Sequence, residues 1–165
     1  MSIGPNRETT GVDWLQSLLT LQGMPSKVKS QWVENEAGAS CWLIIDDTSL
    51  TPEQIDTLLG EGGIVLDSIQ YLANTTLNLG KPQPEQQAYT IELCGYRERR
   101  QAELRAIATH AAEQAQTTGE EFEIGALSSA ERRQVHHFLK VYEGLETFSR
   151  GKEPDRRLVV RLAKS

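Results

Sequence analysis

Two arginines and a histidine near the C-terminus have the types and the spacing to hold an anion. In SSAERRQVHHFLKVY, Ser128-Ser129-Ala130-Glu131 is a capping-box pattern that fixes a helix start. On that helix Val135, Phe138, Leu139 and Tyr142 form the face for burial. At roughly 100° per residue, Arg132 and His136 share one edge beside it, while Arg133, His137 and Lys140 turn towards solvent. An i, i+4 Arg–His pair at the border of a core is held by packing and still reaches outward. On an ordinary surface helix the same pair snorkels or meets acids. In RRLVVRL, Arg157, Val159 and Arg161 alternate with Leu158, Val160 and Leu162, so a strand there lines one face with arginines. Guanidinium groups grip phosphate in a planar, bidentate way. A second candidate is Gly60-Glu61-Gly62-Gly63, a glycine loop opening onto an apolar-periodic run. Such loops bring backbone N–H groups close to a phosphate, but Glu61 places a negative charge in the same spot.

The charge distribution separates these two candidates. The 165-residue chain has a net charge of −6, which argues against a uniformly basic nucleic-acid binder. Residues 1–94 carry 4 basic and 12 acidic side chains, whereas residues 95–165 carry 13 and 11. From Ser128 onward there are 9 basic against 5 acidic residues, so an anionic polymer would be attracted first to that end.

The elements that must position these residues follow from periodicity. GVDWLQSLLTLQ over 11–22 predicts a helix that stops at Gly23, and strands are expected near Lys27–Glu34 and Ser40–Asp46, joined by the turn ENEAG. A short helix is expected from about Ser49, a longer one from Ile64 to about Leu79, then a polar loop and the strand AYTIELC. From Gly95, YRERRQAELRAIATHAAEQAQ predicts a connecting helix with a narrow stripe at Leu104, Ile107, Ala108, Ala111 and Ala115. Its Arg97, Arg99, Arg100 and Arg105 either extend a basic path or pair with Glu98 and Glu103. A small last unit follows: strand EFEIG, the helix from Ser129 to about Tyr142, strand LETFSR, a turn, and strand RRLVVRL.

These residues carry a family resemblance. Arg132-x-x-x-His136, followed by TFSRGKEPDRRLVVRL, resembles the single-stranded nucleic-acid-binding domain named for its Arg-x3-His motif. The glycine loop between two helices, after a helix and two strands, resembles a type II KH domain. In that order the pair is similar to the bacterial Jag/KhpB family, and YRERRQAEL and LDSIQYL match its segments too. The resemblance implies an α+β fold: a type II KH domain (α-β-β-α-α-β) joined by a long helix to a small Arg-x3-His domain with a three-stranded sheet. The expected layout is a flexible tail over 1–10, KH over 11–94, connecting helix over 95–119 and Arg-x3-His domain over 120–165. Members often carry a further N-terminal Jag module where this chain has about ten residues.

What the resemblance implies is binding of single-stranded RNA, or of single-stranded DNA, in the role of a post-transcriptional regulator or RNA chaperone. Arg132, His136, Arg156 and Arg157 would surround a phosphate, Arg133 belongs to the same basic set, and Arg150 and Lys152 would add field. In the KH unit, Gly60, Glu61, Gly62 and Gly63 would clamp the backbone, weakened by Glu61. The alternative is a protein-interaction scaffold whose KH unit binds itself or another KH protein. No enzyme, cofactor or metal is expected: there is no HExxH, Cys/His ligand spacing, nucleophile elbow, Walker loop or dinucleotide fingerprint. Cys41 and Cys94 sit in apolar strand-like runs and read as reduced thiols. With no signal-peptide pattern and no membrane span, the expected location is cytoplasmic.

Overall fold

A computed structural model describes residues 5–35 and 38–164, with side chains at 9–34 and 38–164. The chain divides into two compact units, residues 1–97 and 98–165. Part of the expected turn ENEAG, residues 36–37, and the first four residues of the expected tail lie outside the described residues.

The first unit runs α1 (Pro5–Leu21), β1 (Val28–Asn35), β2 (Gly38–Ile45), α2 (Pro52–Leu59), α3 (Ile64–Leu77) and β3 (Tyr89–Leu93). This is the α-β-β-α-α-β order expected of a type II KH fold. The sheet order is β1-β2-β3, with β1 antiparallel and β3 parallel to β2. A parallel neighbour needs a crossover, and α2 with α3 supplies it. The register places Cys41, Leu43 and Ile45 beside Tyr89, Ile91 and Leu93, alternate residues that share one sheet face. That face packs on Leu15 and Leu19 of α1 and Leu66, Ile69 and Ala73 of α3. Two expectations are corrected here. The 1–10 segment is not all tail: α1 begins at Pro5, whose fixed φ suits the first helical position. The short helix begins at Pro52 rather than near Ser49, because Thr51 caps it reciprocally with Gln54.

The second unit is built from α4 (Tyr96–Thr118), whose first two residues belong to the first unit, β4 (Phe122–Ile124), α5 (Ser129–Leu139), β5 (Leu145–Arg150) and β6 (Arg157–Leu162). Its sheet is antiparallel with order β4-β6-β5. The helix expected only to connect is part of this core: Leu104, Ala108, Ala111, Ala112 and Ala115 pack with Ile124, Val135, Leu139, Leu158 and Val160. Alanines let the helix backbone approach its neighbours closely, so a stripe of small residues still buries a continuous surface. α5 stops at Leu139, short of the expected Tyr142, and Tyr142 closes a turn by donating its N–H to the Leu139 carbonyl at 3.1 Å.

Candidate nucleic-acid interface

The N-terminus of α5 organises the C-terminal site. Ser128 accepts from the Glu131 N–H at 3.2 Å, and Glu131 accepts from the Ser128 N–H at 2.8 Å, completing the capping box. Glu131 is also tied to α4, accepting from Arg100 Nε at 2.7 Å. Burial pushes the Glu131 carboxyl up, but the bonds from Arg100 and Ser128 outweigh it and leave the pKa lowered. The same pair raises the Arg100 guanidinium. Arg100 also meets Glu103 at 2.8 Å, so this part of the basic stripe is paired rather than a free path.

Arg132 stands one turn further on and is 6% exposed. Its Nη1 donates to the carbonyls of Leu127 at 2.7 Å and Arg156 at 3.3 Å. Its Nη2 donates to Ser129 Oγ at 3.1 Å and to Glu153 Oε1. The expectation of a freely reaching arginine is corrected: a guanidinium this buried must satisfy its donors within the protein, and two backbone carbonyls take one edge of it. His136 is likewise engaged, its Nδ1 hydrogen-bonded to Thr147 Oγ1 on β5. Arg132 therefore ties α5 to the 153–156 turn, and His136 ties it to β5.

Between these ties lies a cleft of about 370 Å³ lined by Ser129, Arg132, Arg133, His136, Ser149 and Arg156, among others. Arg133 and Arg156 are exposed, and among the described residues neither side chain has a partner. Sequence spacing sent Arg133 to the far side of the helix, whereas the structure places it on the cleft wall. Lys152 stands exposed in the adjoining turn, also without a side-chain partner among the described residues.

The remaining C-terminal arginines share the outer face of the sheet. Arg150 and Arg157 are cross-strand neighbours, and like charges directly opposite repel. Glu123 answers both, at 2.8 Å to Arg150 and 3.8 Å to Arg157, and Glu121 meets Arg150 at 2.7 Å and Arg161 at 3.2 Å. The hydrogen bond from Arg150 is the main reason the Glu121 carboxyl lies below the usual range. Phe148 stacks against Arg150 and Arg161, with 5.3 and 4.8 Å from guanidinium carbon to ring centre. Arg157, expected to face phosphate, thus meets Glu123, and Arg150, expected to add field, meets both Glu121 and Glu123.

In the first unit the glycine loop is a tightly packed turn. Gly60 (φ +69) ends α2, and a Cβ there would meet Val65 at 2.5 Å. Gly63 (φ +79) packs under Tyr96, where a Cβ would meet the hydroxyl oxygen at 2.2 Å. That hydroxyl donates to the Gly62 carbonyl at 2.8 Å. Glu61 and Gly62 are exposed. Nearby, Arg97 is bound to Asp67 at 2.5 Å. The free edge of β3 and the residues leading into it are covered by amide side chains from α3 and its C-cap. Gln70 accepts from the Ile91 N–H at 3.0 Å. Asn74 both accepts from and donates to the Tyr89 backbone, at 2.9 and 2.8 Å. Asn78 does the same for Gln87, both at 2.8 Å. These side chains act as a surrogate strand.

Sequence reasoning missed Ser129, Thr147 and Glu153 as partners of the Arg–His pair, because those contacts close only when the β5–β6 hairpin folds back. It also missed Gln70, Asn74 and Asn78, whose i, i+4, i+8 spacing was a readable signal. Among the described residues no group of three or more His, Cys, Asp and Glu could hold a metal, and no helix is long and apolar enough to cross a membrane.

Residues 102–162 match the family of Arg-x3-His (R-x3-H) domains, a span that includes most of α4 and all of the cleft. The chain is 26% identical over 151 residues to an RNA-binding protein KhpB of Clostridium symbiosum, covering 92% of this chain and 64% of that protein. It is 30% identical over 107 residues to an RNA-binding protein KhpB of Lactiplantibacillus plantarum, covering 65% of this chain and 33% of that protein. The chain thus spans about two thirds and one third of these relatives' lengths. Residues 102–162 thus match an Arg-x3-His domain that follows a KH-type order of helices and strands, and the chain is similar to these two RNA-binding proteins KhpB.

Proposed function

We propose that the protein binds single-stranded RNA through the cleft of the Arg-x3-His domain and acts as a post-transcriptional regulator or RNA chaperone rather than as an enzyme. The observation that carries this reading is the pair Arg133 and Arg156: two exposed cations without partners among the described residues, both lining one cleft. Arg132 and His136 build the walls, and Arg133, Arg156 and Lys152 face the phosphates. The names of the relatives support RNA as the polymer. Contacts to phosphate position a strand without reading its sequence, so broad sequence tolerance is expected. The test is fluorescence anisotropy of a labelled mixed-sequence RNA with wild type and R133A/R156A. Affinity should fall roughly tenfold at low salt, and the salt slope should flatten by about 1.4, two phosphates' worth for a single strand. An unchanged slope contradicts the reading.

The first unit supports a second role, contact with another copy or another KH protein. On and just beyond α3, Ile64, Tyr71, Leu72 and Leu79 are 63, 71, 48 and 80% exposed. The charged residue of that helix, Asp67, is paired with Arg97. Sedimentation of wild type and Y71A/L72A tests this: a dimer lost in the variant supports it, and a monomeric wild type contradicts self-association.

A further inference from the structure

The guanidinium of Arg132 has two edges with different surroundings. Nη1 faces inward, to the Leu127 and Arg156 carbonyls, and no other acceptor could replace these without refolding the turn. Arg132 and Ser129 both line the cleft, and Nη2 meets Ser129 Oγ and the carboxylate of Glu153. Glu153 Oε1 also lies 3.4 Å from Ser129 Oγ, so one carboxylate oxygen engages both groups. Arg132 is buried, whereas the Glu153 side chain is 55% exposed on a solvent-facing turn. The arginine is the buried partner and the carboxylate the exposed one.

We propose that Arg132 Nη2 and Ser129 Oγ form an anion subsite that Glu153 fills in the free protein and that a backbone phosphate oxygen takes over when RNA binds. The proposal rests on the cleft being the RNA site. Carboxylate and phosphate oxygens present the same acceptor chemistry to a guanidinium edge, and the phosphate brings neighbours that the carboxylate lacks. A strand held by Arg133 and Arg156 delivers its next phosphate at high effective concentration, which lets it compete with a tethered side chain. Displacement releases Glu153 into water at little cost, because its side chain is already half solvated. Glu153 thereby sets the affinity of the cleft without belonging to its grip.

The test compares wild type, E153Q and D155N in anisotropy titrations with a labelled mixed-sequence single-stranded RNA at low and moderate salt. Asp155 lies on the same exposed turn, and among the described residues its side chain has no partner, so D155N makes the same charge change without emptying the subsite. Circular dichroism melts confirm that all three are folded. The expected result is about threefold to tenfold tighter binding by E153Q than by D155N, because the same phosphate contact forms in both but only D155N must first displace Glu153. Equal affinities for E153Q and D155N overturn the subsite exchange while leaving the cleft reading intact. Absence of binding by wild type and both variants overturns the cleft reading, and the exchange with it.

Discussion

The two units each carry a signature associated with nucleic acid, and they differ in what is left free around it. In the first unit the glycine loop is locked by Tyr96, presents Glu61, and belongs to the acidic part of the chain. The β3 edge is occupied by Gln70, Asn74 and Asn78, and Arg97 is tied to Asp67. In the second unit the signature residues are also tied down, but their hydrogen bonds frame a cleft whose neighbouring cations stay open. A motif's best-known residues can serve as scaffold, with the open grip of the free protein supplied by the residues they position.

The largest effect that would sharpen this contrast comes from Arg132. R132A removes four hydrogen bonds at a buried site and leaves the Leu127 and Arg156 carbonyls without that donor. We expect a loss of about 3 kcal/mol in the second unit, seen as faster amide exchange across α5 and β6. R133A should cost less than about 0.5 kcal/mol by the same measurement. If R132A is as mild as R133A, the scaffold role is wrong. Next is N74A, which strips the Tyr89 backbone of both partners and should cost about 2 kcal/mol. It should also expose the β3 edge, detectable as concentration-dependent association in sedimentation. Unchanged stability and no association would show the amide ladder to be incidental.

A smaller effect links the capping box to pH. Glu131 has a lowered pKa in the folded chain, so its contribution is complete above the ordinary glutamate value and is lost as pH falls through the folded one. Thermal melts from about pH 6 to about pH 3 should show the second unit weakening, and E131Q should flatten that decline. At neutral pH E131Q should cost about 1 kcal/mol. A decline as steep in E131Q as in wild type would place the acid sensitivity elsewhere. Smallest is E61K, which reverses the charge of the glycine loop without touching a packed contact. It should raise RNA affinity by about twofold through long-range attraction. A gain comparable to the loss in R133A/R156A would make the KH loop a second grip and erase the contrast.

Much of this was legible in the sequence where local chemistry decides. The box at Ser128–Glu131, the alternation in RRLVVRL and the glycine loop between two helices are short-range signals, and the structure has each element where they point. Long-range closure was not legible. Arg132 looked like a border residue because nothing in ERRQVHH reveals that the turn carrying Glu153 and Arg156 returns over it. α4 looked like a connector because its stripe is mostly alanine, which scores weakly for burial yet packs closely. Arg150 and Arg157 looked free because Glu121 and Glu123 lie far away in sequence and meet them only when the sheet forms.

The most direct test of the account is an NMR titration of the full ¹⁵N-labelled chain with a short mixed-sequence single-stranded RNA. The account predicts shifts concentrated at Ser129, Arg132, Arg133 and His136, at Thr147–Ser149 and at Lys152–Arg156, with the amides of Gly60–Gly63 and β3 little changed. Shifts at the glycine loop and β3, with the cleft of the Arg-x3-His domain silent, would contradict it.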